Sequence, residues 1–595
     1  MKNYLLGILT GLVLCALVLF IGVFAIARLA GTAPSIQSGS TLILRLSGDL
    51  PEKAPPEIPL AFLEAQSPMT LPDVWLTLRK AAADPRVRAV VFEPRGLTVG
   101  WAKLQELRLE LDRFRKSGKP LYAFLRNPGA REYYVASLAD RIYLTPLDSL
   151  DVKGLQVETL YLKDTLDKVG VKAEVIHAGK YKDAGDMFTR TSMSPETREV
   201  LTAVLDQYYG DLLNVISTSR HKSVEEVRKM VDEGPLPAGQ ALADGLVDQL
   251  GFEDALEHDL AARLRQTSLR LASGRVYAKI PASTVPGVEG PKRIALVSAE
   301  GMIVRGGSQN DFSDGLIASR SFTRVLRDVA SDPGIQGVVL RVDSPGGDGV
   351  ASDDILQAAR ALSRKKPVVI SMSDYAASGG YFISMTGDPI VAYPNTLTGS
   401  IGVIYTRFSM RGLYDKLGIK RDSLSRGRYA GLDSGYNPLT PDEQNKIASQ
   451  IDSFYQSFLK RVAEGRKLTT ADIEPLAQGR VWLGTQARDH GLVNEMGGLD
   501  AAIDLVKRRA GIPSSAAITL VSYPRKRSLL DLLMSRGEQE SPAIDSIRGH
   551  LLSLWAPQAD PLALLPADVR AFAPTARLLL GGGLLDLMPY WIEVH

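Results

Sequence analysis

Ser378 stands in Ala376-Ala377-Ser378-Gly379-Gly380-Tyr381, behind the apolar run that starts at Pro367 and ahead of a short helical pattern from Tyr381 to Met385. This places a serine at a strand-to-helix junction, where a nucleophile is exposed and the unpaired N–H groups of a helix start face a developing oxyanion. Gly379 lets the backbone approach a substrate closely. Taken alone, the six residues are equally an ordinary small-residue turn. A second glycine cluster, Asp343-Ser344-Pro345-Gly346-Gly347-Asp348-Gly349, follows the apolar strand Gly337 to Val342. In an α/β fold this is a loop at the carboxyl end of a strand, where ligands bind, and its N–H groups offer a further oxyanion donor. Pro-Gly-Gly alone is also a common turn.

A serine nucleophile needs a base. No Gly-x-Ser-x-Gly elbow points to a Ser-His-Asp arrangement. His490, beside Asp489, falls in a polar helix-to-loop segment that reads as surface, and His177 is a reserve candidate. The other base is a lysine. To work near neutral pH its pKa must fall by roughly three units from ~10.4, about 4 kcal/mol of desolvation, so it needs a buried and largely apolar setting. Gly179-Lys180-Tyr181-Lys182-Asp183-Ala184 follows the apolar strand Ala173 to Ile176. A lysine there is ordinarily solvated.

What singles out Lys182 is an internal repeat. An offset of 248 carries Asp84-Pro85 onto Asp332-Pro333, Tyr133 onto Tyr381, Pro146 onto Pro394, Gly179 onto Gly427 and Tyr181 onto Tyr429. After a two-residue slip, Gly245-Leu246-Val247 falls on Gly491-Leu492-Val493. Under the same offset Lys182 meets Ala430, whereas Ser378 meets Ala130, Gly379 meets Arg131, Gly346 meets Thr98 and Gly347 meets Val99. Each half has lost what the other keeps. A composite site between two homologous domains explains this; a solvated lysine does not. Ser400, in Leu397 to Gly402, meets Val152 and belongs to the half that holds the serine. It is a candidate to aim the amine lone pair by a hydrogen bond, and a structural turn serine is the other reading.

The elements that must position these residues read as α/β. Short β-rich runs such as Ala89 to Phe92 and Gly337 to Leu340 alternate with amphipathic stretches such as Trp101 to Lys116 and Asp353 to Arg364. Ser273 to Lys292, with Pro281, Pro286 and Pro291, reads as the linker between halves. From Tyr4 to Ala27 no residue is charged. At ~1.5 Å per helical residue this run covers a roughly 30 Å hydrocarbon core, and a cleaved leader is the competing reading. Lys2 and Arg28 flank it without setting its direction. The chain thus divides into an N-terminal membrane anchor (1–30), a first repeat (31–285) supplying the lysine, a second (286–515) supplying the serine, and a C-terminal extension (516–595). The apolar pieces of that extension, Leu578 to Leu585 among them, read as a packing arm or an oligomer contact.

Composition narrows the classes. With 595 residues, 45% of them hydrophobic and 23% charged, the chain is a folded protein of several domains. A formal charge of +3 gives no footprint for nucleic acid. Its single cysteine, Cys15, excludes a disulfide framework, and neither a His-Glu-x-x-His nor a phosphate-binding glycine loop occurs. No metal or cofactor is expected.

At Ala376 to Tyr381, Ser344 to Gly347, Leu397 to Gly402 and Gly179 to Ala184 the chain resembles the long, tandem-repeat form of the bacterial signal peptide peptidase A family, proteases of the crotonase/ClpP-like superfamily. The resemblance covers roughly residues 1–515. It implies two tandem α/β domains of repeated ββα units behind an N-terminal transmembrane helix. Ser378 is then the nucleophile, Lys182 the general base, Ser400 the residue orienting Lys182, and Gly346, Gly347 and Gly379 the oxyanion region. It also implies a bowl-like homotetramer on the periplasmic side of the bacterial inner membrane, cleaving signal peptides already released from their precursors, in apolar stretches. Two other functions stay open: an acyl-CoA enzyme of crotonase type, which would need no serine, and a non-catalytic membrane scaffold, which would have no reason to keep one complete set.

Overall fold

The computed structural model describes residues 35–53, 68–307, 315–524 and 584–588, with isolated positions at 11, 14 and 17. The expected anchor therefore lies outside the described residues, and among those described no helix is long and apolar enough to cross a membrane. The architecture is mixed α/β, built by one path followed twice. The first sheet runs Arg270–Ser273, Ser40–Gly48, Val87–Leu97, Leu121–Leu125, Arg141–Leu144, Gln249–Leu250, all parallel. The second runs Ile518–Tyr523, Lys292–Glu300, Ile335–Ser344, Val368–Ala377, Ile390–Ala392, Glu495–Met496, again parallel. Near-continuous apolar strands such as Val368–Ala377 are what a parallel sheet covered on both faces selects.

The duplication extends to single hydrogen bonds. The Tyr133 hydroxyl donates to the Leu246 carbonyl at 2.6 Å, and its counterpart Tyr381 donates to Leu492 at 2.9 Å. Two 26-residue helices, Pro195–Arg220 and Pro441–Arg466, each begin with a hydroxyl N-cap and a proline and end in a left-handed residue, His221 or Lys467. In both, the final arginine donates its Nε at 2.9 Å to a glycine carbonyl, Gly245 or Gly491.

Two expectations need adjusting. The second sheet continues to Tyr523, past the boundary set at 515, because Ile518–Tyr523 pairs along Lys292–Glu300 as Arg270–Ser273 pairs along Ser40–Gly48. The proline-rich linker is packed, not loose. Its short helix Gly274–Ala278 is held by the buried amine of Lys80, which donates to the carbonyls of Tyr277, Ala278 and Ile280 at 3.0, 3.0 and 2.7 Å.

The halves are joined by a third, six-stranded sheet drawn from both: Leu316–Ala318, Met302–Val304, Gly346–Asp348, Leu584–Leu587, Val403–Ser409, Lys172–Ala178. Here Lys172–Ala178 of the first half lies antiparallel along the whole of Val403–Ser409 of the second. This pairing carries the chain directly into the Lys182 loop.

Candidate active site

Ser378 ends the Val368–Ala377 strand and caps the short helix Gly379–Ile383 with φ +54° and ψ −114°. A non-glycine residue there costs roughly 1–3 kcal/mol, and the surroundings impose it: the Ser378 N–H donates to the Gly399 carbonyl and its own carbonyl accepts from Phe382, both at 2.8 Å. The hydroxyl is thus turned out of the strand. Lys182 Nζ lies 2.7 Å from Ser378 Oγ, and 2.9 Å from both the carbonyl and the hydroxyl of Ser400. All three residues are 0% exposed.

The lysine reaches this place because its loop is clamped by the second half. The N–H of Tyr181 donates to the Gln478 carbonyl at 2.8 Å, the Gly479 N–H to Ile401 at 2.8 Å, and the Ser400 N–H to Arg480 at 2.7 Å. Gly479, at φ +76°, packs so close that a β-carbon on it would stand 2.6 Å from Lys182 Cβ. It was not foreseen, although the repeat carried the signal: under the slipped offset its counterpart is Glu233.

The three glycines picked out from sequence come together. A β-carbon on Gly379 would lie 3.1 Å from Gly346 Cα and from the Gly347 nitrogen. Gly347 itself, at φ +155°, has no room for a side chain against the Ile303 backbone. Gly346 donates its N–H to Ser344 Oγ at 3.2 Å. The histidines stand aside. His177 is exposed, with Nδ1 2.9 Å from the Gly179 carbonyl, and His490 is exposed with its ring centroid 4.4 Å from that of Trp482.

Behind the serine and the glycine loop lies a buried ionic network that the sequence did not reveal. Arg341 donates to Glu52 at 2.8 Å and to Glu106 at 2.5 Å, so one cation of the second half serves two carboxylates of the first. Lys103 of the first half meets Asp343 at 2.8 Å, with Glu300 at 3.8 Å. Asp374 accepts the N–H groups of Ala102 and Lys103 at 2.9 Å, capping the Trp101–Lys116 helix that opens on Gly100 and has no side-chain cap of its own. Burial pushes the Glu300 carboxyl up to about 7 against the pull of Lys103, and pushes Asp374 up as well. Asp343 immediately precedes Ser344, and Asp374 lies one turn of strand before Ser378, so the network grips the roots of both loops.

Asp183, next to the lysine, is tied to the start of the Pro195–Arg220 helix by the hydroxyls of Ser194 and Thr197. Burial raises its carboxyl to about 6.

Comparison with known proteins agrees with the doubled architecture. The profile of the family described as "Peptidase family S49" matches twice, over residues 113–267 and 360–512. Serine protease SPPA, chloroplastic, of Arabidopsis thaliana is 32% identical over 521 residues, 87% of this chain and 76% of that protein. Protease 4 of Haemophilus influenzae is 32% identical over 455 residues, 73% of this chain and 72% of its own. Protease 4 of Salmonella typhi is 32% identical over 530 residues, with 85% and 80% covered.

Proposed function

The chain belongs to peptidase family S49, and from that premise we propose that it is a membrane-anchored serine endopeptidase with a Ser/Lys dyad, acting on cleaved signal peptides and similar apolar peptides. The observation that carries the proposal is the 2.7 Å approach of Lys182 Nζ to Ser378 Oγ, between the two halves and out of contact with solvent.

In this reading Lys182, in its neutral form, takes the proton of Ser378 as Oγ attacks a peptide carbonyl. The Ser400 carbonyl can only accept, so it fixes one amine N–H, and the lone pair is left for Ser378. Backbone N–H groups of the Gly346, Gly347 and Gly379 region hold the oxyanion. The leaving amine takes the proton back from Lys182, which then activates the water that opens the acyl-enzyme. An acyl-CoA enzyme or a scaffold gives no reason for an amine aimed at a serine hydroxyl.

The anchor is Tyr4 to Ala27, placing the site on the periplasmic side of a bacterial inner membrane, and the domains are of crotonase/ClpP type. A homotetramer belongs to the same proposal. Its support is that the repeat counterparts of the exchanged strands, residues 155–161 and 420–426, form no strand and leave Leu160 45% and Leu424 96% exposed. Such edges fit a neighbouring copy. Light scattering of the intact detergent-solubilised chain tests it: a monomeric mass would exclude it.

The dyad is tested with a fluorogenic apolar peptide at pH 8. Ser378→Ala and Lys182→Ala should keep the wild-type circular dichroism and lose nearly all turnover, on the order of 10³-fold or more. Normal cleavage by Lys182→Ala would overturn the assignment of the base.

A further inference from the structure

The strand Leu584–Leu587 has no counterpart in the repeated architecture, yet it sits beside the glycine loop. It lies between Gly346–Asp348 and Val403–Ser409, antiparallel to both. Asp348 faces Leu585, Gly347 faces Asp586, Gly346 faces Leu587, and the Met588 N–H donates to the Pro345 carbonyl at 2.8 Å. Ser344 is paired with Ala376 on the serine's own strand. The segment therefore advances toward Ser378 as it runs from Leu585 to Met588.

Its side chains fill apolar sites made by both halves. Leu585, 1% exposed, belongs to a cluster with Val171 and Phe188 of the first half and Met302, Ile404 and Phe408 of the second. Met588, 6% exposed, belongs to the core that includes Tyr181 and Ala377, the chain neighbours of Lys182 and Ser378. With the segment seated, Ser378 and Lys182 are wholly buried.

We infer that the seam between Gly346–Asp348 and Val403–Ser409 binds an extended apolar peptide, and that Leu584–Met588 occupies it as the chain's own competing ligand, keeping the site closed. The inference rests on the peptidase reading above and adds the regulation of that site. Strand addition suits both occupants: main-chain hydrogen bonds accept any sequence, and pockets for particular side chains select apolar ones. A peptide with apolar residues at the spacing of Leu585 and Met588 makes the same contacts and displaces the segment. Because the competitor is tethered, its local concentration is fixed at ~1 mM, and a strand whose own Kd is ~0.1 mM raises an apparent KM about tenfold.

The test uses full-length Leu585→Asp and a chain ending at residue 577, each with Ser378 and with Ser378→Ala. In the Ser378→Ala forms, fluorescence anisotropy of a labelled apolar decapeptide should show about tenfold tighter binding than in the otherwise unaltered chain. A synthetic peptide of residues 582–590 should displace it. In the Ser378 forms, KM should fall about tenfold with kcat unchanged. Equal or weaker peptide binding by folded variants, or failure of both variants to fold, overturns the inference and makes the strand a fixed part of the sheet. Tighter binding without turnover in any Ser378 form would uphold the inference and defeat the peptidase reading, whereas turnover with equal KM defeats the inference alone.

Discussion

Around the Lys182 amine stand two hydroxyls and one carbonyl, and they are not interchangeable. Removing the Ser400 hydroxyl leaves its carbonyl in place, so Ser400→Ala should keep the fold and lower kcat by roughly 10- to 100-fold, less than loss of the base itself; a kcat equal to wild type would make Ser400 a turn residue. Asp183 gives a pH prediction. Its carboxyl is raised by burial from the ordinary 3.8 to about 6, so the folded state binds a proton more tightly than the unfolded one. The stability that proton brings is complete below pH ~4 and is lost as pH rises toward 6, with a slope approaching 1.4 kcal/mol per pH unit. Asparagine can still accept from Ser194 and Thr197, so denaturant titrations of Asp183→Asn should lack that slope, and a wild-type slope in the variant would refute the assignment. The lysine, both serines and the glycines were readable because the repeat supplied an internal control. The same control was present but unread for Arg341 and Asp343, whose counterparts Glu93 and Arg95 carry the opposite charge.

Elements reveal themselves in sequence by periodicity, and partners do not. The strands that hold Ser378 and the glycine loop were evident from their apolar runs, and so were the flanking helices. That Lys172–Ala178 would pair with the other half was not, because a strand's own residues do not name its neighbour. Nor did Gly100 announce that the helix it opens is capped from across the interface by Asp374. The network there should be costly to break. Arg341→Met leaves Glu52 and Glu106 buried without their cation, which should destabilise the fold by about 3–5 kcal/mol. The extra double variant Glu52→Gln, Glu106→Gln in that background should recover part of the loss in urea denaturation. A change under 1 kcal/mol for Arg341→Met would mean the interface relaxes around the vacancy.

In the molecule as a whole, both members of the dyad come from one chain, 196 residues apart. Mixing or co-expressing Lys182→Ala chains with Ser378→Ala chains should therefore restore no turnover even if they assemble together, and measurable recovery would show that the lysine crosses between copies. The two-domain plan followed from the repeat, but the third sheet could not, since it combines pieces of both halves with a tail that has no counterpart. That same sheet has a consequence for the chain as it is being made. The lysine loop waits for Gln478, 298 residues further on, before it is clamped. At ~5–20 residues per second of synthesis, roughly 15 to 60 seconds pass between the emergence of the base and that of its holder. Throughout that time a half-made chain carries every residue of its first half and no means of cutting anything, its own unfinished length included.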